Sequence, residues 1–211
     1  TTHGELNQEI GDLKTMNTQI GDEARGLTQA LKGESKTQGN WGEVVLERVL
    51  ELSGLREGYE FEREVTKKDE EGKNKRPDVI VQLPGERQVV IDSKVSITAY
   101  EEYCSTDDEA ERERALKAHT ASIQSHVKLL SDKNYQHLHS LDTLDYVLMF
   151  MPIEAALTEA LRINRDIFNE AISRNVVIVT PTTLLATLRT IETIWKREHQ
   201  TKNVLEIARQ A

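Results

Sequence analysis

Cysteine and long apolar runs are scarce in this sequence, and each scarcity excludes a class of protein. Its one cysteine, Cys104, rules out an internal disulfide and favours a reducing compartment. No stretch approaches the roughly 18 consecutive apolar residues of a membrane-spanning helix, and the first residues lack the charged start and apolar core of a signal peptide. The sequence therefore predicts a soluble, cytoplasmic chain without membrane contact.

An excess of positive charge is also absent, because the formal net charge is −9 at pH 7. A protein whose whole surface binds nucleic acid needs clustered lysine and arginine, so any such contact is expected to be local. The chain begins at Thr1 in mid-pattern and without an initiator methionine. We interpret this as a fragment of a longer chain, which leaves open a membrane anchor upstream.

Residues 1–35 carry a repeat of their own. Mostly Leu and Ile recur at alternating spacings of three and four, the period of about 3.5 residues that defines a coiled coil. The repeat comprises Leu6, Ile10, Leu13, Asn17, Ile20, Ala24, Leu27 and Leu31. We predict that residues 1–35 end a coiled coil that joins copies of the chain into a homo-oligomer. The alternative is a helix that packs on its own domain.

Residues 36–211 predict one α/β domain with a mixed sheet. A polar break at residues 32–40 precedes a helix that begins after Asn40 and ends at Gly54. Short apolar runs that end in proline, typical of strands covered on both faces, follow later in the chain. The strands are predicted in 59–68, 77–83, 87–95, 144–152 and 175–181, and further helices in 107–131, 153–171 and 182–209.

Two of these strands carry charged residues among apolar ones. Asp92 and Lys94 are two residues apart, so they project from one face of their strand. A three-residue loop at 84–86 sets Asp78 opposite Asp92, whereas a loop of two or four residues sets Asp78 on the other face. The spacing permits the carboxylates of Asp78 and Asp92 to face each other but does not require it.

Facing carboxylates repel each other unless a cation lies between them. Mg²⁺ or Mn²⁺ takes oxygen ligands from one or two carboxylates and leaves positions for water and phosphate. With Asp78 and Asp92 on the metal and Lys94 orienting the attacking water, these residues predict metal-assisted phosphodiester hydrolysis. The alternative is an ordinary ion pair of Asp92 with Lys94 on an edge strand, and Asp78 as a strand-entry residue.

The order of elements around these residues resembles the PD-(D/E)xK nuclease superfamily. Its motif corresponds here to Pro77-Asp78 followed by Asp92-Ser93-Lys94, with Asp92 where the commoner residue is Glu. The resemblance implies a restriction-endonuclease-like core. Members often add a metal-contacting Glu from the first helix.

In this sequence the resemblance assigns that Glu to Glu43, with Glu47 one turn later as the alternative. Four separated segments also resemble, in order, the RmuC DNA-recombination family. They are NWGEVVLERVLELSGL, RPDVIVQLPGERQVVIDSKVS, LDYVLMFMP and PTTLLATLRTIETIWKREHQ. The likeness runs from about residue 35 to the C-terminus, and residues 1–35 are similar to that family's coiled-coil region.

The family resemblance implies a DNA recombination protein with a nuclease domain that limits inversion between short inverted repeats. We therefore predict a metal-dependent DNA endonuclease or exonuclease that acts on structured DNA. The alternative is a non-cleaving scaffold that binds DNA structures and oligomerises through its coiled coil.

Two basic stretches are the predicted DNA contacts. They contain Lys73, Lys75 and Arg76 in the first and Lys196 and Arg197 in the second. The first stretch is a predicted loop next to Asp78, where a DNA backbone would approach. The alternatives are a solvated turn and a solvated helix with Trp195 packed inward.

Overall fold

The computed structural model describes residues 15, 35–63, 66–68, 74–85, 87–93, 97–133 and 142–210. Except for Thr15 and Ser35, the predicted coiled coil at 1–35 lies outside these residues. The coiled coil, and the homo-oligomer predicted from it, therefore stay predictions. Within the described residues, none of the helices combines the length and apolarity that a bilayer span requires.

Helix α1 spans Ser35–Ser53 and contributes the first buried face of the domain. The predicted break at 32–40 and the predicted N-cap at Asn40 are wrong over residues 35–40, which are helical. Once a helix is nucleated, each added residue gains a hydrogen bond, so polar residues and one glycine do not end it. The predicted end at Gly54 is confirmed, since Gly54 has a φ of +84°, which suits glycine.

The first strands after α1 are short. β1 (Phe61–Arg63) joins the main sheet, whereas β2 (Lys67–Lys68) and β3 (Asn74–Lys75) pair with each other in a separate two-stranded sheet. The prediction of one strand over 59–68 is therefore wrong. Residues 56–60 form a turn instead of a strand, because the Glu60 carboxylate accepts hydrogen bonds from the Arg56 backbone N–H and guanidinium. Tyr59 lies in this turn and is exposed.

Within the described ranges, the main sheet has five strands in the order β1-β4-β5-β6-β7. The remaining strands are β4 (Val79–Gln82), β5 (Arg87–Asp92), β6 (Asp142–Phe150) and β7 (Val176–Val179). β1, β4 and β5 pair antiparallel, and β5, β6 and β7 pair parallel. The predicted α/β domain with a mixed sheet is confirmed. β5 lies at its centre, where the antiparallel and parallel halves meet.

Five further helices cover the sheet in the described part of the chain. They are α2 (Thr98–Ser105), α3 (Glu109–Asp132), α4 (Glu154–Ile163), α5 (Ile167–Ile172) and α6 (Pro181–Gln210). The helix predicted over 107–131 is confirmed as α3, which begins where the Asp108 carboxylate accepts a hydrogen bond from the Glu111 N–H. The single helix predicted over 153–171 is wrong, because the Asn164 carboxamide accepts a hydrogen bond from the Asp166 N–H and turns the chain between α4 and α5.

Alternating residues of β4 and β5 face two separate apolar clusters. Ile80 and Val90 pack with residues of α3 and α4 on one face of the sheet. The other cluster packs the intervening strand residues against α1 and α6, and it contains Val79, Val81, Val89 and Ile91. β4 and β5 are therefore buried on both faces, and polar side chains are expected only where these strands end.

Candidate functional site

The register between β4 and β5 sets the two predicted acidic residues opposite each other. Val79 pairs with Ile91 and Gln82 with Gln88, and the Leu83 N–H donates to the Arg87 carbonyl at 2.7 Å. This register leaves residues 84–86 as a three-residue loop. Of the three loop lengths considered, this is the one that sets the two carboxylates opposite each other. Continued by one residue, it places Asp78 opposite Asp92 at the end of the strand pair.

Asp78 precedes β4 and is half-buried. Its Oδ2 accepts hydrogen bonds from the Ser93 backbone N–H at 2.7 Å and from the Ser93 hydroxyl at 2.9 Å. Hydrogen bonds to a carboxylate are stronger than those between neutral groups, so two of them on one oxygen fix the orientation of the group. Asp78 is thereby held against the residue that follows Asp92.

A cavity of about 620 Å³ opens beside Asp78, between α1 and the start of β4. Its wall is rich in charge. Among the described residues, the charged groups of the lining are four carboxylates, from Glu43, Glu47, Glu57 and Asp78, and two guanidinium groups, from Arg63 and Arg76. Within this described lining the carboxylates outnumber the guanidinium groups by two, which favours a cation over a bare phosphate.

Arg63 joins two of these carboxylates. Its Nε and Nη2 donate to Glu57 at 2.7 and 3.0 Å, and its Nη1 donates to Glu47. The hydrogen bond from Arg63 holds the pKa of Glu57 below its usual value, and the two carboxylates raise the pKa of Arg63. Glu47 therefore forms an ion pair with Arg63. Glu43 lies one turn earlier on α1, is exposed and faces the same cavity.

Asp92 ends β5 and is only 1% exposed. Its Oδ2 accepts a hydrogen bond from Lys133 Nζ at 2.7 Å. Lys133 follows α3, where its backbone N–H donates to the Leu129 and Leu130 carbonyls. His126, also on α3, is half-buried near the pair, and burial lowers its pKa while the charge of Asp92 opposes that shift.

Sequence reasoning missed Lys133, which lies 41 residues from Asp92. It stands in a polar stretch at the end of a helix, where lysine is usually solvated. Its role depends on the packing of α3 against β5, and no local pattern signals it. Lys94, the lysine of the predicted site, lies outside the described residues.

The predicted DNA contacts lie at different places. Lys73 lies outside the described residues, as does the side chain of Lys75, which belongs to β3. Arg76 is exposed and lines the cavity beside Asp78, and its contact with DNA stays a prediction.

Lys196 and Arg197 are exposed on α6 next to Trp195. The Trp195 Nε1–H donates to the Gln82 carbonyl at 3.0 Å, which confirms that Trp195 packs inward. Gln82 is at the opposite end of β4 from Asp78. Lys196 and Arg197 are therefore not brought to the cavity, and Lys196 forms an ion pair with Glu192 at 2.5 Å.

The predicted metal ligands are all carboxylates, the oxygen donors that Mg²⁺ and Mn²⁺ prefer. Glu43 and Asp78 share the cavity wall, while Asp92 is held by Lys133. Across the described ranges, no group of three or more His, Cys, Asp or Glu side chains is arranged to hold a metal ion. The donor chemistry fits a hard divalent cation. Asp92 is not among the described residues that line the cavity, and it forms an ion pair with Lys133.

The whole chain, residues 1–211, matches the model of the RmuC family. It is 52% identical over 206 residues to a DNA recombination protein RmuC homolog of Pseudomonas aeruginosa, covering 98% of this chain and 45% of that protein. It is 51% identical over 206 residues to DNA recombination protein RmuC of Escherichia coli strain K12, covering 98% of this chain and 43% of that protein.

A homolog from Vibrio cholerae is 47% identical over 206 residues, which cover 98% of this chain and 40% of that protein. The chain thus spans less than half the length of these curated relatives. No solved structure gave a significant match. From the family match over all 211 residues and the identity of about half to these relatives, the chain belongs to the RmuC family.

Proposed function

We propose that residues 36–211 form the nuclease domain of a DNA recombination protein and hydrolyse phosphodiester bonds of structured DNA with Mg²⁺ or Mn²⁺. The relatives supply the first part of this proposal, because they are named DNA recombination proteins. The arrangement of Asp78, Asp92 and Glu43 supplies the second. Limiting inversion at short inverted repeats is the proposed role of the whole protein.

The topology supports a restriction-endonuclease-like core. Helix α1 precedes the antiparallel strands β1, β4 and β5, and α3 then connects β5 to the parallel strand β6. This is the order of elements on which the resemblance to the PD-(D/E)xK superfamily rests. Ligands of mixed and parallel sheets commonly bind where strand ends meet, and Asp92 is at the end of the central strand.

The single observation that carries the proposal is the register in which Val79 pairs with Ile91, which sets Asp78 opposite Asp92 when it is continued by one residue. Asp78, Asp92 and Glu43 would hold the cation, and Glu43 is preferred to Glu47 because Arg63 binds Glu47. When bound, the cation would neutralise charge on the phosphate and lower the pKa of a water molecule. Lys94, two residues after Asp92, is proposed to orient that water.

The charge of the cavity suggests separate roles for its carboxylates, which would bind the cation, and for the basic residues, which would contact DNA. Its excess of carboxylates repels a bare phosphate, so DNA is expected to approach only when a cation is bound. Arg76 lies on the cavity wall and would contact a phosphate next to the cleaved bond. Four more residues of the two basic stretches are proposed to contact the DNA backbone, and they are Lys73, Lys75, Lys196 and Arg197.

Cleavage of hairpin, branched and single-stranded DNA in Mg²⁺ or Mn²⁺ tests the proposal directly. Asp92→Asn and Lys94→Met should each lower the rate about 100-fold or more, because each removes a charge that contacts the reacting groups. Asp166→Asn is the matched control for Asp92→Asn, since Asp166 is exposed and lies in the turn before α5. Product formed equally by wild type and both site variants would refute the hydrolytic function.

A non-cleaving DNA-binding scaffold is favoured by one observation, the engagement of Asp92 by Lys133. A scaffold needs the fold and the two basic stretches but no metal. It would bind hairpin or branched DNA with an affinity that falls as salt rises, and it would form no product in either metal. Light scattering of the purified chain, with and without residues 1–35, measures the oligomer proposed for both functions.

A further inference from the structure

Asp92 and Lys133 form an ion pair whose two members differ sharply in burial. The Asp92 side chain is 1% exposed, and the Lys133 side chain is 34% exposed. The carboxylate ends the central strand and is enclosed by the domain, whereas the ammonium reaches it from the end of α3. Solvent therefore reaches the lysine side chain and hardly reaches the aspartate.

A buried carboxylate requires a cationic partner or a strong set of hydrogen-bond donors, because its charge is poorly solvated inside a protein. Lys133 supplies such a partner through a contact of 2.7 Å between Nζ and Oδ2. A divalent cation on the same carboxylate would supply the same compensation. Two cations on one carboxylate repel each other, so the lysine and the metal oppose each other's binding.

We infer that Lys133 is a resident counter-ion of Asp92 that holds the carboxylate in the metal-free protein and gives way when a divalent cation binds. This inference rests on the proposed function, which places the cation at Asp92. Lys133 acts through Asp92, so it is a positioning residue. It stabilises the metal-free fold and sets the threshold of metal concentration at which the site fills.

Removing the ammonium should have opposite effects on the metal-free protein and on metal binding. In Lys133→Met, the melting temperature in EDTA should fall by about 4–8 °C, since a buried carboxylate loses a partner. Binding of Mn²⁺ alone, measured by calorimetric titration, should tighten about fivefold because a competing charge is gone. Lys133→Arg keeps the charge and should stay near wild type in both measurements.

Two further variants keep the test independent of a folding defect. Lys128→Met removes an exposed lysine from the same helix and should change neither quantity. The double variant Asp92→Asn/Lys133→Met removes both charges, so its melting temperature in EDTA should recover toward wild type. Circular dichroism of each variant reports whether the fold is retained.

The outcomes separate this inference from the proposed function. If neither wild type nor Lys133→Met binds Mn²⁺, the metal site fails and the exchange fails with it. If wild type binds Mn²⁺ and Lys133→Met binds it equally or more weakly, the exchange is refuted while the metal site stands. An unchanged melting temperature of Lys133→Met in EDTA likewise refutes the role as counter-ion.

Discussion

Ser93 donates two hydrogen bonds to one oxygen of Asp78, from its backbone N–H at 2.7 Å and from its hydroxyl at 2.9 Å. Ser93 directly follows Asp92, so the two halves of the acidic motif are joined by contact as well as by strand register. With Oδ2 bound in this way, the direction of the Asp78 carboxylate is fixed by the residue in the middle of the Asp92-Ser93-Lys94 stretch.

Replacing Ser93 with alanine tests this orientation. Ser93→Ala removes the hydroxyl donor and keeps the backbone donor, so Asp78 retains one of the two bonds. We expect a loss of about 1 kcal/mol in the free energy of unfolding, the usual value of one hydrogen bond. Mn²⁺ affinity should fall several-fold because Asp78 is less well oriented. Urea denaturation and calorimetric titration measure the two effects.

Ser105→Ala is the matched control for that substitution. Ser105 also donates its hydroxyl in a hydrogen bond, to the Glu102 carbonyl, but it is exposed on α2. Its replacement should leave Mn²⁺ affinity unchanged. Equal affinity of wild type and Ser93→Ala would show that the hydroxyl does not orient Asp78 for metal binding.

The facing of Asp78 and Asp92 was within reach of the sequence, because a hairpin register follows from its loop length. Three loop lengths were available and only one of them faced the carboxylates. Gly85, with a φ of +81°, lies in the loop, but a glycine serves several turn types. The sequence thus defined the alternatives, and the pairing of Val79 with Ile91 decided between them.

Glu43→Gln and Glu47→Gln should show which of the two α1 glutamates binds the metal and which one only stabilises the fold. Glu43 faces the cavity without the guanidinium contact that occupies Glu47, so Glu43→Gln should weaken Mn²⁺ binding by about tenfold, as loss of one charged ligand does. Glu47→Gln should leave Mn²⁺ affinity unchanged. It should slightly lower the melting temperature, because an exposed ion pair to Arg63 contributes little.

Glu51→Gln serves as the control for both variants, since Glu51 is exposed on α1 and pairs with Arg48. Its Mn²⁺ affinity and melting temperature should match those of wild type. A weaker affinity in Glu47→Gln than in Glu43→Gln would reverse the assignment and make Glu47 the ligand.

The choice between Glu43 and Glu47 could not be made from the sequence. Residues four apart lie on the same face of a helix, so both carboxylates point the same way. What separates them is Arg63, which comes from β1 and donates a hydrogen bond to Glu47. Lys133 was beyond sequence reasoning for the same reason, since its contact with Asp92 depends on how α3 packs against the sheet.

The core of the fold gives a test that does not depend on metal. Ile123 on α3 is 0% exposed and belongs to the cluster between α3, α4 and the sheet. Ile123→Ala should lower the free energy of unfolding by about 2–5 kcal/mol, because it leaves a cavity in packed surroundings. Leu129→Ala, at an exposed position of the same helix, should be close to neutral. Similar losses in the two variants, measured by urea denaturation, would contradict the placement of α3.

His119 should make the domain sensitive to acid. The buried ring donates from Nε2 to the Ala156 carbonyl at 3.1 Å, and Nδ1 has no hydrogen-bond partner in the described structure. Burial lowers the pKa of His119 from 6.5, so below that pH the unfolded chain binds more protons than the folded one and stability falls. His119→Gln keeps a donor and does not titrate, so from about pH 6.5 down to pH 5 it should lose less stability in urea denaturation than wild type does. His199→Gln, at an exposed position of α6, should retain the acid sensitivity of wild type, and an equal acid loss in His119→Gln would mean that His119 is not its source.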